Sequence, residues 1–175
     1  IKLTYQEASR ELGYDLWELA QGGVKEKIDK TEVTQPLMLT AGVAAWRVWR
    51  NHTDRIPKYM AGHSLGEYTA LVCSESLQFK EALKLVQKRA QLMQAAIPED
   101  EGSMAAILGL DDDILVRLCT DESNDELVAP VNFNSPGQIV IAGNKNAVQR
   151  VIDRSKSVGA KRALLLDVSV PSHCL

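Results

Sequence analysis

The chain has 175 residues, a net charge of −3 at neutral pH, 45% hydrophobic and 25% charged side chains, which allows one core plus a small appendage. That acidic balance argues against a nucleic-acid binder, which needs a basic surface over the phosphates, and no apolar run approaches the ~18 residues of a membrane span. Cys73, Cys119 and Cys174 cannot all pair and show no CxxC spacing, so neither zinc nor a redox pair is indicated and a reducing compartment fits.

In chain order, residues 3–20 carry Leu3, Ala8, Leu12, Leu16 and Leu19 near helical spacing, interrupted at Gly13 and ended at Gly22-Gly23. A loop is expected up to Thr34. Thr34 as N-cap with Pro36 in the first turn predicts a helix to about Trp49, with Leu37, Ala41, Ala44 and Val48 on its buried face and Trp46 and Trp49 as packing residues. Residues 51–58 form a polar turn leading into a short apolar strand, Tyr59-Met60-Ala61.

Gly62-His63-Ser64-Leu65-Gly66 follows, the GxSxG pattern of a sharp strand-to-helix turn that exposes a serine hydroxyl. Gly62 and Gly66 are expected to remove side chains where strand and helix backbones approach. Leu65 opens the next helix, so its backbone N–H is available to an oxyanion beside Ser64. By itself the pattern is also compatible with an ordinary turn.

Residues 80–97 give the clearest helical periodicity, with Ala82, Leu85, Val86, Ala90, Met93, Ala96 and Ile97 on one side. Arg89 falls within that apolar face. A buried guanidinium needs either an internal carboxylate or an anionic ligand, and both remain open on the residues alone. Basic pairs such as Lys84 with Lys88, or Lys161 with Arg162, offer patches to an acidic partner.

After the acidic break at 98–102 the pattern changes. Strands at 103–108, 127–133, 138–142 and 161–168 and helices at 111–120 and 145–158 give the order β-α-β-β-α-β, the ferredoxin-like arrangement. A serine nucleophile needs a base. His52 lies in a polar turn, and His63 adjoins Ser64 with its side chain directed oppositely. His173, in Val170-Pro171-Ser172-His173, is best placed, where the chain returns from the inserted segment. Beginning at Ile1 without a methionine and stopping just after that histidine, the chain reads as an excerpt of a longer protein.

Four segments in order, GHSLGEY at 62–68, QKRAQLMQ around Arg89, PVNFNSPGQIVIAG at 130–143 and SVPSH at 169–173, closely resemble the malonyl-CoA:acyl carrier protein transacylase family. The resemblance spans essentially the whole chain. It implies an α/β fold: an α/β-hydrolase-like acyltransferase core at 1–100, a ferredoxin-like insertion at 101–166, and a return to the core at 167–175. It implies Ser64 as acylated nucleophile, His173 as base, the Leu65 N–H in the oxyanion hole and Arg89 on the malonyl carboxylate, with Gln35 and Asn132 at pocket positions. Malonyl-CoA and acyl carrier protein are the implied partners, with no metal or cofactor, in a cytoplasmic, monomeric protein. The family's glycine- and glutamine-rich strand-loop, which supplies a second oxyanion donor, has no counterpart in this sequence, nor has the segment that orients the imidazole. Two other readings remain: a serine acyl hydrolase of esterase or patatin-like type, for which a cation in the pocket is unexpected, and a catalytically impaired carrier-binding module.

Overall fold

The computed structural model describes residues 1–98, 101–168 and 170–175. Its contacts divide the chain into two units, Ile1–Leu92 and Met93–Leu175. Together they form an α/β protein of helices and an antiparallel sheet.

The first unit is helical. It comprises α1 (Lys2–Leu12), α2 (Leu16–Gly22), α3 (Lys25–Ile28), α4 (Thr31–His52), α5 (Gly66–Cys73) and the main part of α6 (Phe79–Ala95). Gly13, left-handed at φ 80°, ends α1 by donating its N–H to the Ser9 carbonyl, and the Asp15 carboxylate caps α2 by accepting the Glu18 N–H at 2.9 Å. Tyr5, Ala8, Leu16, Leu39, Val43, Phe79, Leu83 and Val86 form the buried core, and removal of their apolar surface from water drives its assembly. Arg47 braces α1 and α6 against α4: it donates to Glu7 at 2.6 Å and lies 5.1 Å from the centre of the Phe79 ring.

Several expectations about the helices differ from the structure. The segment before Thr34 holds α3 and the first turn of α4, which starts at Thr31 with Lys30 in the cap position and runs to His52. Thr34 lies inside the helix, its hydroxyl donating to the Ile28 and Lys30 carbonyls. The buried face is Gln35, Pro36, Leu39, Thr40, Val43 and Ala44, about one residue round from the expected one; Leu37 and Ala41 only flank the core. Hydropathy misplaces it because Gln35 and Thr40 are polar residues buried through hydrogen bonds. Trp46 and Trp49 stack on each other at 5.0 Å, with Trp49 partly exposed. On α6, Leu83 is buried whereas Leu85 is 51% exposed.

The expected strand at 59–61 is not one. It pairs with none of the described residues, and Tyr59 is 83% exposed. A strand exists only through its ladder, and apolar composition cannot supply the neighbour.

The second unit contains β1 (Gly102–Leu108), α7 (Asp112–Asp121), β2 (Val128–Ser135), β3 (Gln138–Asn144), α8 (Lys145–Ser157) and β4 (Arg162–Leu165). The sheet order is β2-β3-β1-β4 and every neighbouring pair is antiparallel. Ala105, Ile107, Ile139 and Ile141 alternate onto one face and pack with Leu115, Val148, Val151 and Ile152 of α7 and α8. The last strand is shorter than expected, ending at Leu165, after which the chain stays tied to β1 through the Leu166 N–H on the Met104 carbonyl at 2.9 Å.

No helix among the described residues is long and apolar enough to cross a membrane.

Candidate active site

The elbow is a tight turn at the entry to α5. The His63 carbonyl accepts the Gly66 N–H at 2.9 Å and the Ser64 carbonyl accepts the Glu67 N–H at 3.2 Å. Ser64 itself is left-handed at φ 53°, a conformation that non-glycine residues rarely adopt and that aims its hydroxyl away from the turn. The two glycines do different work. A Cβ on Gly62 would lie 1.9 Å from the Gly66 carbonyl carbon, so the chain before the serine must be bare to pass over the helix start. A Cβ on Gly66 would meet no described atom within 4 Å, contrary to the expectation that both glycines answer one close approach. Behind the elbow, Gly42 of α4 lets Thr69 of α5 come close: a Cβ there would lie 2.6 Å from the Thr69 methyl carbon.

Leu65 is the cap residue of α5, and among the described residues no backbone carbonyl takes its N–H. That N–H lies at the positive end of the helix dipole.

Arg89 reaches the elbow from α6. Its Nη2 donates to Ser64 Oγ at 3.1 Å and its Nη1 to Gln35 Oε1 at 2.5 Å. The sequence left open whether this cation meets a carboxylate or a ligand; the structure gives it two neutral oxygens, one of them the serine hydroxyl. Gln35 is only 5% exposed, and its Nε2 donates onward to Thr31 Oγ1 at 2.8 Å. Thr31 was not foreseen as a site residue. Its spacing of four from Gln35 is the available signal, legible once the helix is known to start at Thr31 rather than beyond it.

Within the first unit, therefore, Ser64, Leu65, Arg89 and Gln35 come together. His52 caps the end of α4, its Nδ1 2.8 Å from the Val48 carbonyl oxygen, and His63 is exposed. His173 and Asn132 belong to the second unit. His173 is exposed and left-handed at φ 66°. The segment before it is anchored on β1: Val170 is buried, a Cβ on Gly102 would lie 2.4 Å from Pro171 Cγ, and the Ser172 N–H points to Met104 Sδ at 3.3 Å. Ser169 lies outside the described residues. Asn132 is half-buried on β2 opposite Val140, just after the irregularity in the ladder at Val131.

No group of His, Cys, Asp and Glu among the described residues could hold a metal ion. Burial pushes the thiols of Cys73 and Cys174 up, and that of Cys119 up to about 12.

An acyl transferase domain matches residues 6–175, a span that includes the elbow, Arg89 and His173. The chain belongs to the acyl transferase domain family. Among curated relatives, this acyl transferase chain is 54% identical over 174 residues to the malonyl CoA-acyl carrier protein transacylase of Salmonella typhimurium, covering 99% of the chain and 56% of the relative. It therefore spans about half the length of the curated relatives it matches. Two solved structures superpose closely. One is a type II PKS acyl-carrier protein in complex with its malonyl-transacylase, with TM-score 0.94 and 55% identity over 99% of this chain and 56% of that one. The other is the malonyl CoA-acyl carrier protein transacylase of Coxiella burnetii, with TM-score 0.94 and 50% identity over 98% and 54% of the two chains.

Proposed function

We propose that the protein carrying this acyl transferase chain moves a malonyl group from malonyl-CoA to the phosphopantetheine thiol of an acyl carrier protein, in fatty-acid synthesis. The observation that carries the reading is the Arg89 guanidinium 3.1 Å from Ser64 Oγ. A cation at the nucleophile suits an acyl group that ends in a free carboxylate, which can take two parallel hydrogen bonds from the planar fork. It does not suit the neutral ester of an acyl hydrolase. Kinship supports the same reading, since the relatives named above are malonyl transacylases.

In this mechanism Ser64 Oγ attacks the thioester carbonyl while the His173 imidazole takes its proton. The Leu65 N–H donates to the tetrahedral oxyanion, the C–S bond breaks, and CoA leaves as the thiol, taking the proton from His173. A malonyl-serine ester remains. The carrier's thiol then attacks that ester, passing its proton to His173; the C–O bond breaks and Ser64 recovers a proton. Asn132 would line the pocket. No metal or cofactor enters these steps.

We read the whole fold as an α/β-hydrolase-like core (1–100) with a ferredoxin-like insertion (101–166) and a return segment (167–175). The β2-β3-β1-β4 order of an antiparallel βαββαβ unit supports the second part. The protein is read as a cytoplasmic monomer. The test is intact-mass analysis after incubation of the full-length protein with malonyl-CoA. A malonyl adduct that disappears in Ser64→Ala is expected; no adduct on the folded protein overturns the reading.

A further inference from the structure

We propose that Thr31 is a positioning residue for Arg89, acting through the Gln35 amide, and so sets the preference of the site for a carboxylate-bearing acyl group. The inference rests on the malonyl-transfer reading above. Two hydrogen bonds in sequence make the connection: Thr31 Oγ1 accepts from Gln35 Nε2 at 2.8 Å, and Gln35 Oε1 accepts from Arg89 Nη1 at 2.5 Å. The other guanidinium nitrogen, Nη2, is the one at Ser64 Oγ.

The chemistry of the three groups fixes the polarity of this chain. A guanidinium has only donors, so the amide must turn its oxygen to Arg89 and its NH2 away. Gln35 is 5% exposed, which removes water as a general acceptor for that NH2. Thr31 supplies a hydroxyl oxygen one helical turn earlier on α4, on the same face, with no loop to order. With both ends held, the amide oxygen is a fixed point against which Arg89 is set. Arg89 is itself long and rotatable, and a bidentate carboxylate contact needs its plane in one orientation. Removing the Thr31 hydroxyl takes an acceptor from a buried amide, and the amide regains freedom at the cost of the Arg89 orientation.

The test compares malonyl and acetyl transfer from their CoA thioesters in the full-length protein, wild type against Thr31→Val, Thr31→Ala and Thr31→Ser. Losing one such hydrogen bond corresponds to about three- to tenfold. The malonyl-to-acetyl ratio of kcat/KM is expected to fall by that much in the Val and Ala variants, chiefly through KM for malonyl-CoA, and to return in Thr31→Ser. In a Gln35→Leu background, Thr31→Val should change the ratio no further, because the intermediary is gone. An unchanged ratio in a Thr31→Val or Thr31→Ala protein that melts like wild type overturns the proposal. So does an equal effect in the Gln35→Leu background, and so does loss of folding in both variants, which would assign the hydroxyl to stability. Absence of malonyl transfer in the wild type is a different result, since it removes the functional reading itself.

Discussion

Gln35 and Arg89, 54 residues apart in the chain, meet in a hydrogen bond of 2.5 Å that holds the guanidinium beside Ser64. Because the amide oxygen is neutral, it orients Arg89 without cancelling its charge. A carboxylate partner in that position would have consumed the cation. The elbow thus keeps a full positive charge beside the serine hydroxyl, at a place set by an uncharged neighbour.

Arg89→Ala is the direct test of that charge. Truncating one partner of a desolvated charge pair typically costs 2–5 kcal/mol, so malonyl transfer should fall by about two orders of magnitude. Acetyl transfer should not suffer in proportion. The ratio of the two kcat/KM values checks this, and an unchanged malonyl-to-acetyl preference would refute the role given to Arg89. Arg89→Lys should recover only part of the loss, because an ammonium cannot offer the planar fork.

The two glycines of the elbow should respond differently to the same substitution. Gly62→Ala places a methyl group 1.9 Å from the Gly66 carbonyl carbon. The turn must move, and a displacement of ~1 Å at a reacting atom costs about 10²-fold in rate. Gly66→Ala meets no described atom within 4 Å and should leave stability within about 1 kcal/mol of wild type. Thermal melts together with the yield of acyl-serine by intact mass distinguish the two; equal damage from both would be inconsistent with the asymmetry.

Arg150 ties the loop after α7 to α8. It donates to the Glu122 carbonyl at 2.8 and 3.0 Å and to the Ser123 carbonyl at 2.9 Å, and pairs with Glu126 at 2.8 Å. Hydrogen bonds from a charged donor contribute roughly 1.5–3 kcal/mol, so Arg150→Ala should destabilise the protein by about that much. Urea unfolding would show it as a lower midpoint. Ser64 acylation under native conditions should be unaffected.

Alkaline pH should weaken the fold through Cys119. Its thiol titrates at about 12 in the folded chain against 9.0 for an ordinary thiol, because burial disfavours the thiolate. The folded state therefore favours the protonated form. This contribution is fully present below pH 9, falls as the unfolded chain ionises, and stops changing above 12. Tyr5 and Tyr14, also shifted upward by burial, add the same sign from about pH 10. Denaturant midpoints measured from pH 8 to 11 should decline, and Cys119→Ala should flatten the early part of that decline.

The sequence was most legible where a single residue dictates its own surroundings. Gly13 ends α1, and the segments after residue 102 follow the expected β-α-β-β-α-β order, with Ala105, Ile107, Ile139 and Ile141 on one face of the sheet. It was least legible where position depends on something distant. Tyr59-Met60-Ala61 has strand composition but no described partner, and α4 begins at Thr31, a turn early, with its first turn closed by the Val33 and Thr34 N–H groups on the Lys30 carbonyl, which hydropathy does not register. Arg89 could be singled out as a cation among apolar neighbours; that its partners are an amide and a hydroxyl could not. The elbow serine was legible from its spacing, while the division of labour between Gly62 and Gly66 depends on how closely the chain passes over the helix start, which spacing does not encode.

The left-handed backbone of Ser64, φ 53°, also limits which elements and shapes can serve as its replacement. Cysteine has the same unbranched outline, so exchanging oxygen for sulfur asks nothing new of the main chain. Threonine keeps the hydroxyl but adds a methyl group at Cβ, the one place where a residue in this conformation cannot carry it without strain. The position is thus more tolerant of a change in chemistry than of one extra carbon.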